Sequence, residues 1–334
     1  MTHQYVTRDS GRVLDEELFC DRVVAYLYSR VREQAPALFR AVVSARGSAL
    51  LGFMNYDLPL GARLSGPKAL IRRLGIDLSE CVEEAAFYTT PRRIFERRIR
   101  YEAVRPMPDD DGVVVSPADS RMFAGSLGKE STLYIKDKFF AFDEFLSRTV
   151  WTNTFAGGDF AIFRLTPDKY HYNHVPVSGV VCDFYEIEGS FHSCNPTAVI
   201  TEVTPFSRNR RAVTVIDTDV PGGTGCGLVA MIEVAALMIG KIVQAYAASG
   251  YEPSSQMAPG LFVRKGQPKS LYRPGSSLDV LVFEPGRVEF FPDLVAHQFR
   301  RDVGSRFSSW LGRPWVETDV RVREGIARVC AIEP

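Results

Sequence analysis

The chain has 334 residues, of which 46% are hydrophobic and 24% are charged. These fractions are ordinary for a globular protein, and the length predicts one large or two small domains. Lysine plus arginine and aspartate plus glutamate number 40 each, so the overall charge gives no drive toward nucleic acid, and we expect no such partner.

The N-terminal third is predicted to be mostly helical and amphipathic. Apolar residues recur at roughly helical spacing from Asp15 to Ser44, and Pro36 is expected to kink or split that stretch. Lys68–Leu74 predicts a short helix that ends at Gly75. Pro91–Arg100 predicts a further helix, with proline at its first position.

From about Val113 the pattern changes to short β-branched and aromatic runs between glycine and proline turns. The predicted strands are 113–115, 132–135, 160–165, 179–181, 212–216 and 280–283. We therefore expect an α+β fold, with a helical region over residues 1–104 packed on a β-rich, mainly antiparallel catalytic domain over residues 105–334.

The cysteines and the apolar runs bear on location. The six cysteines form no C-x-x-C pair, which argues against a zinc knuckle or a redox motif. With no signal peptide evident, we expect reduced thiols in a cytoplasmic protein. The longest apolar run, Leu228–Ile242, is broken by Glu233 and Lys241 and is too short to span a bilayer, so membrane contact would be peripheral.

Two segments bear on surface binding. The arginine-rich stretch Arg92–Arg100 is interpreted first as a solvated helix face, and second as a patch for anionic headgroups or a substrate phosphate. The apolar stretch Leu50–Met54 could rest on an anionic surface without crossing it.

Three further patterns are given ordinary interpretations. The glycine-rich run Pro221–Gly227 lacks the lysine and hydroxyl residue of a phosphate-binding loop, so we expect a loop that leads into a buried element. His171 and His174 lie three residues apart in a predicted strand or loop, and we expect no metal site there because a metal needs three or four ligands. Glu233, inside an apolar run, is expected to be a paired structural carboxylate.

Three separated segments carry the groups that activate a serine. They are Ser116–Asp119, Tyr170–Pro176 and Arg273–Ser277. If Ser276 attacks the carbonyl of Gly275, with His174 as base and Asp119 orienting the imidazole, the chain cuts itself. Gly275 has no Cβ, so a nucleophile can approach its carbonyl. The new terminus at residue 276 can become a pyruvoyl group, an electrophile that no ordinary side chain supplies.

In this combination the chain resembles the phosphatidylserine decarboxylase family of pyruvoyl enzymes, from about Phe95 to Gly286. Five elements occur in the family's order. They are Arg105-Pro106, Pro117-Ala118-Asp119, the Y-H-x-x-H-x-P motif over Tyr170–Pro176, Glu233–Ile242, and Lys265-Gly266 ending ten residues before Ser276.

The resemblance implies a decarboxylase whose covalent pyruvoyl cofactor derives from Ser276, with a large fragment ending at Gly275 and a small fragment beginning at residue 276. It also implies that His171 donates the proton that replaces CO₂. Several positions depart from the family's pattern, among them Ser120, Ala235, Pro268, Ser270 and Ser277. These departures leave the substrate more open than the processing chemistry.

Three functions follow from the sequence. The first is decarboxylation of phosphatidylserine to phosphatidylethanolamine, with peripheral membrane contact. The second is a soluble pyruvoyl-dependent decarboxylase of free amino acids, and the third is a binding protein that never cleaves. A homodimer is among the assemblies that the sequence allows.

Overall fold

A computed structural model describes residues 2–18, 21–57, 66–128, 141–202, 205–237, 241–273 and 277–330. Its strands are β1 (Gln4–Thr7), β2 (Val13–Asp15), β3 (Val113–Val115), β4 (Ser120–Ser126), β5 (Asp159–Leu165), β6 (Tyr172–His174), β7 (Gly179–Ile187), β8 (Arg211–Asp217), β9 (Leu228–Ala235), β10 (Ile242–Gln244), β11 (Phe262–Val263), β12 (Pro268–Tyr272), β13 (Ser277–Phe283), β14 (Val288–Phe290), β15 (Thr318–Val320) and β16 (Gly325–Val329).

The helices are short and lie mostly in the N-terminal third and near the C-terminus. The α-helices are Asp21–Tyr26, Arg32–Gln34, Pro36–Val42, Ala45–Gly52, Gly66–Arg73, Pro91–Phe95, Tyr101–Val104, Phe142–Leu146, Thr149–Thr154, Pro196–Thr201, Pro205–Arg208, Pro292–Gln298 and Arg306–Leu311. Wider helical turns cover Leu27–Val31 and Phe53–Asp57, and single tight turns cover Leu78–Glu80 and Ala85–Phe87.

One large sheet organises the described residues, in the strand order β11-β7-β8-β9-β13-β5-β4-β15-β1-β2. Neighbouring strands are antiparallel except β1 and β15, which are parallel. β13 lies inside this sheet, pairs with β9 and β5 along its whole length, and is buried throughout. The α+β fold with a mainly antiparallel sheet is therefore confirmed.

The two faces of the sheet carry separate hydrophobic cores, as alternation along buried strands requires. Val280 packs with Ile232 and Trp315 on one face, whereas Leu281 packs with Met231 on the other. Ser277 and Asp279 share the face of Leu281. This second face is covered near the start of β13 by the small sheet β10-β12-β6.

The N-terminal strand is anchored to the large sheet by buried charges. Arg164 on β5 lies 2.6 Å from a carboxylate oxygen of Glu317 and 2.6 Å from one of Glu16. His3 lies 2.8 Å from Glu317. Since the guanidinium fills the space between the two carboxylates, these residues form an ionic anchor rather than a metal site.

The helical prediction for residues 15–44 is confirmed only in part. The backbone breaks at Ala35 and a new helix starts at Pro36, as proline at a first helical position favours. However, Val13–Asp15 is a strand, because it pairs with β1 at the sheet edge. The helix at Pro91 ends at Phe95, earlier than predicted.

Five of the predicted strands coincide with β3, β5, β7, β8 and β13. The predicted strand 132–135 lies outside the described residues. The run Leu228–Ala235 is a buried strand of the large sheet, and the glycine-rich run 221–227 is the loop between β8 and β9, as expected. No helix in the described parts of the chain is long and apolar enough to cross a membrane.

Candidate active site

Asp119 lies in the turn between β3 and β4 and is ionised. Arg105 donates to both of its oxygens, at 3.0 Å and 2.9 Å, and the backbone N–H of Val322 donates at 2.8 Å. Burial opposes ionisation, but the Arg105 guanidinium outweighs it, so the pKa of Asp119 is lowered. Arg105 is itself held by Glu80, at 3.0 Å.

His174 ends β6 and is fully buried beside this turn. Its backbone N–H donates to the carbonyl of Pro117 at 2.7 Å, which joins two of the predicted site segments. Burial lowers the pKa of His174 to about 4, so the imidazole is neutral near pH 7. A neutral imidazole can accept a proton, as a general base must.

The ring of His174 is oriented by two groups. Nδ1 lies 2.8 Å from the carbonyl oxygen of Gly266; because a carbonyl only accepts, Nδ1 carries the proton. Nε2 is then the acceptor and receives the hydroxyl of Tyr170 at 3.0 Å.

Among the described residues, the ring nitrogens of His174 contact Gly266 and Tyr170, whereas the Asp119 oxygens bind Arg105 and Val322. The orienting role of Asp119 stays a prediction. Gly266 has φ +76°, a conformation that glycine adopts without strain and that turns its carbonyl toward the ring. Asp119 acts on His174 through its charge, which raises the pKa of the ring against the dominant effect of burial.

His171 is also buried, but one of its nitrogens is unused. Nδ1 lies 2.8 Å from the carbonyl oxygen of Lys169, so that nitrogen carries the proton. Nε2 has no hydrogen-bond partner among the described residues. Burial lowers the pKa of His171 to about 4, which leaves this nitrogen a free acceptor.

The predicted cleavage pair, Gly275 and Ser276, lies outside the described residues. Its two flanks are described: β12 ends at Tyr272, and β13 begins at Ser277 in the interior of the large sheet. The backbone N–H of Tyr272 donates to the carbonyl of His171 at 3.1 Å, so one flank runs beside the histidine pair.

A buried polar layer lies next to these flanks. Glu233 accepts from Lys269 at 2.6 Å and from Gln244 at 2.8 Å, and it also contacts the hydroxyl of Ser270. Burial opposes its ionisation, but Lys269 outweighs it, and the pKa of Glu233 is lowered. Glu233 is thus the paired carboxylate that the sequence predicted.

Lys265 has a structural position. Its ammonium group donates to the carbonyls of Asp110, Asp111 and Val113, at 2.7, 3.2 and 3.0 Å. These bonds hold the loop before β3 against the Lys265-Gly266 turn. The Lys265 hydrogen bonds therefore fix the turn that places the Gly266 carbonyl at His174.

The arginine-rich stretch does not form one exposed basic face. Arg97 is buried and donates to backbone carbonyls of Ile94 and Asp168. Arg98 pairs with Glu83 at 2.5 Å. The expectation of a single solvated helix face is corrected here, because the helix ends at Phe95 and Arg97 beyond it is buried.

Two residues beside this site, Tyr272 and Asp279, were not predicted from the sequence. Asp279 is the one polar residue in the run Leu278–Phe283, and Tyr272 lies on a different strand. Their contact depends on how β12 meets β13, which no local pattern encodes. The interruption of an apolar run by Asp279 was the signal that could have identified that residue.

Comparisons with known proteins identify the family. The sequence profile of the family described as phosphatidylserine decarboxylase matches residues 92–308. A phosphatidylserine decarboxylase proenzyme of Chlamydia trachomatis serovar L2 is 28% identical over 91% of this chain and 98% of its own. The corresponding proenzyme of Fusobacterium nucleatum is 26% identical over 87% of this chain and 91% of its own.

A plant relative, phosphatidylserine decarboxylase proenzyme 2 of Oryza sativa, is 32% identical over 67% of this chain and 34% of its own length. The profile match extends beyond both ends of the region in which the motifs resemble the family, and it contains Asp119, His171, His174 and the segment around residue 276. The chain therefore belongs to the phosphatidylserine decarboxylase family.

Proposed function

We propose that this chain cleaves itself between Gly275 and Ser276 and then, as a pyruvoyl enzyme, converts phosphatidylserine to phosphatidylethanolamine. The observation that carries the proposal is His174. It is a neutral, buried imidazole whose Nδ1 is fixed by the Gly266 carbonyl and whose Nε2 is an acceptor. Family membership supplies the reaction class.

In the proposed cleavage, the Tyr170 hydroxyl turns from His174 Nε2 to the Tyr251 hydroxyl, 2.7 Å away. The freed Nε2 then takes the hydroxyl proton of Ser276 while Oγ attacks the carbonyl carbon of Gly275. The C–N bond breaks, the nitrogen gains a proton, and an ester joins the two residues. Loss of the Cα proton of residue 276 then expels Gly275 as a carboxylate. Hydrolysis of the resulting dehydroalanine releases ammonia and leaves a ketone. The ionised Asp119 stabilises the protonated His174 through its charge.

The surroundings of the cleavage segment suit a small polar group. Three buried polar atoms near its flanks have no hydrogen-bond partner among the described residues. They are His171 Nε2, Ser277 Oγ and Asp279 Oδ2. Since unpaired buried polar atoms are rare, they favour a polar group or substrate at this place. A pyruvoyl group there supplies the electron sink that loss of CO₂ requires.

His171 is the proton carrier in this proposal. Its Nδ1 is fixed on the Lys169 carbonyl, so Nε2 is the nitrogen that can hold a proton released by the substrate amine and return it to the carbon that loses CO₂. His171→Ala should still cleave but lose decarboxylation. Normal decarboxylation in that variant would assign the proton transfer to another group.

Peripheral membrane contact is proposed for the helices of residues 21–57. Large apolar side chains are exposed there, with Leu50 59% and Phe53 51% accessible. Arg22, Arg30, Arg40 and Arg46 are exposed on the same helices. Apolar side chains flanked by arginines are typical of surfaces that rest on anionic lipid.

The test is mass spectrometry of the purified protein followed by a CO₂-release assay. We expect two fragments, with a blocked terminus at residue 276, and faster CO₂ release from phosphatidylserine in vesicles than from free aromatic or aliphatic amino acids. A single intact chain would overturn the proposed cleavage. Two fragments that release CO₂ only from a free amino acid would keep the chemistry and replace the substrate.

A further inference from the structure

Tyr272 and Asp279 form a bridge across the two flanks of the cleavage segment. Tyr272 is the last residue of β12, and Asp279 is the third residue of β13. The tyrosine Oη lies 2.8 Å from Asp279 Oδ1 and 2.9 Å from the carbonyl oxygen of Leu278. Both side chains are fully buried.

The protons of this bridge can be assigned. A phenol has one proton and cannot donate to two acceptors at once. Asp279 pairs in register with Glu233 across β13 and β9. Burial, followed by the charge of Glu233, raises the pKa of Asp279 well above its usual range. Because the carbonyl of Leu278 can only accept, both contacts are hydrogen bonds when Asp279 carries a proton and donates it to Tyr272, while Tyr272 donates to Leu278. The raised pKa of Asp279 favours that protonated form.

We propose that Tyr272 and Asp279 are a positioning pair, which holds the first residues of the small fragment against the end of the large fragment after self-cleavage. This inference rests on the proposed cut between Gly275 and Ser276. Before the cut, residues 273–276 link β12 covalently to β13. After the cut Tyr272 belongs to one fragment and Asp279 to the other, so the bridge joins two chains.

The position of residue 276 then depends on this bridge. The reactive group begins two residues before Leu278, whose carbonyl the bridge fixes, and β13 beyond it is held by its pairing with β5 and β9. Because a misplacement of about 1 Å at a reacting group can lower a rate by about 10²-fold, the bridge should matter more for turnover than for the cut.

The decisive variant is Tyr272→Phe, which removes one hydroxyl and keeps the ring. Its matched control is Tyr185→Phe, which also removes one tyrosine hydroxyl. Tyr185 lies on β7, and its hydroxyl donates to the carbonyl of Leu146 at 2.7 Å. We expect Tyr272→Phe to mature to two fragments while kcat of the mature enzyme falls by about ten-fold or more. Tyr185→Phe should match the unsubstituted enzyme in both measurements.

Asp279 provides a second comparison. Asp279→Asn keeps a donor at the same place and should keep most of the turnover, whereas Asp279→Leu should lose as much as Tyr272→Phe. The double variant Tyr272→Phe/Asp279→Leu should be no worse than its worse single variant, because both changes remove one bridge. This comparison also serves if Tyr272→Phe fails to fold.

Unchanged turnover in mature Tyr272→Phe, or equal turnover in Asp279→Asn and Asp279→Leu, would overturn the pair. A loss of cleavage as large as the loss of turnover would also overturn it, since the bridge would then act before the cut. If the unsubstituted protein remains a single chain, the proposed cleavage fails, and the pair fails with it. If the protein forms two fragments but Tyr272→Phe does not change turnover, the positioning pair is rejected and the proposed cleavage stands.

Discussion

The helices of residues 21–57 and the polar layer beside the cleavage segment depart in opposite ways from the usual distribution of side chains. The helices expose large apolar side chains, namely Val23, Tyr26, Leu38, Leu50, Phe53 and Met54. The polar layer instead buries charged and polar side chains completely, namely Asn173, Glu233, Lys269, Ser270 and Asp279.

The difference indicates two kinds of function. When a membrane or a partner covers exposed apolar surface, the free energy of the system falls. Buried charges have already lost their hydration and are retained where a fixed arrangement is needed. We therefore expect the helices to be the region that contacts a membrane or partner, and the polar layer to be the region that holds the geometry of the site.

The sharpest test of the inner region is removal of the base. His174→Ala should slow cleavage by about 10²–10⁴-fold, because a positioned general base contributes about that much. Asp119→Ala should also block or greatly slow cleavage, because it removes the charge that favours protonated His174. The measurement is the fraction of cleaved chain against time after synthesis, by intact mass.

His297→Ala is the matched control and should cleave normally. His297 lies on the helix Pro292–Gln298, and the charges that act on it are those of Asp293, Arg300 and Arg8, none of which belongs to the site. Cleavage of His174→Ala at the rate of the control would assign the base to another residue. It would also leave the buried neutral state of His174 without a function in processing.

Removing one charge from the polar layer should lower the free energy of unfolding. Lys269→Met leaves Glu233 buried without its cation and should lower the free energy of unfolding by about 3–5 kcal/mol. Glu233→Gln/Lys269→Met should recover much of that loss. Chemical denaturation in a Ser276→Ala background keeps the chain in one piece for the comparison.

The control for this pair lies on the surface. Arg300 and Asp302 form an exposed ion pair, with Asp302 63% accessible. Asp302→Asn should leave the free energy of unfolding nearly unchanged. If Lys269→Met has an effect as small as this control, the buried layer does not hold the geometry assigned to it.

The buried histidines predict a dependence of stability on pH. The pKa values of His171 and His174 are lowered to about 4 by burial, whereas an unfolded histidine titrates near about 6.5. Between these values the unfolded chain binds protons that the native state does not. Stability should therefore fall as pH falls from about 6.5, by about 2 kcal/mol for each histidine at pH 5.

Denaturation of the uncleaved Ser276→Ala chain at pH 7 and pH 5 measures this change. His171→Gln/His174→Gln removes both titrating groups and should flatten the difference between the two pH values. At pH 5 most unfolded carboxyl groups remain ionised, so the low pKa of Asp119 contributes mainly below this window. An equal loss of stability between pH 7 and pH 5 with and without the two histidines would assign the pH dependence to other titrating groups.

The sequence predicted much of this arrangement because its signals are local or linear. The apolar run of β13 and the turn at Asp119 follow from residue types within a few positions. The order of the motifs identified the family, and with it Asp119 and His174. The backbone bond from His174 to Pro117, at 2.7 Å, then joins these segments in space.

What the sequence did not predict depends on contacts between distant segments. β1 joins the large sheet by pairing with β15, about 300 residues away, and no local pattern indicates that register. The partner of His174 is a backbone carbonyl, that of Gly266, so no residue type could point to it. The bridge between Tyr272 and Asp279 likewise exists only once β12 and β13 are both folded.

The outer region is tested by binding to lipid vesicles. Phe53→Ser should weaken binding to vesicles rich in anionic lipid by about three- to ten-fold, since its ring is about half exposed and would be only partly covered by the bilayer. Val295→Ser, which removes an exposed apolar side chain from the helix Pro292–Gln298, should leave binding unchanged. Raising the salt concentration should weaken the vesicle binding of the unsubstituted protein and of both variants, because salt screens the attraction between the arginines and the lipid phosphates. Equal losses of vesicle binding in Phe53→Ser and Val295→Ser would show that the helices of residues 21–57 are not the membrane-binding surface. A protein partner would then be the expected cover for the exposed apolar side chains there.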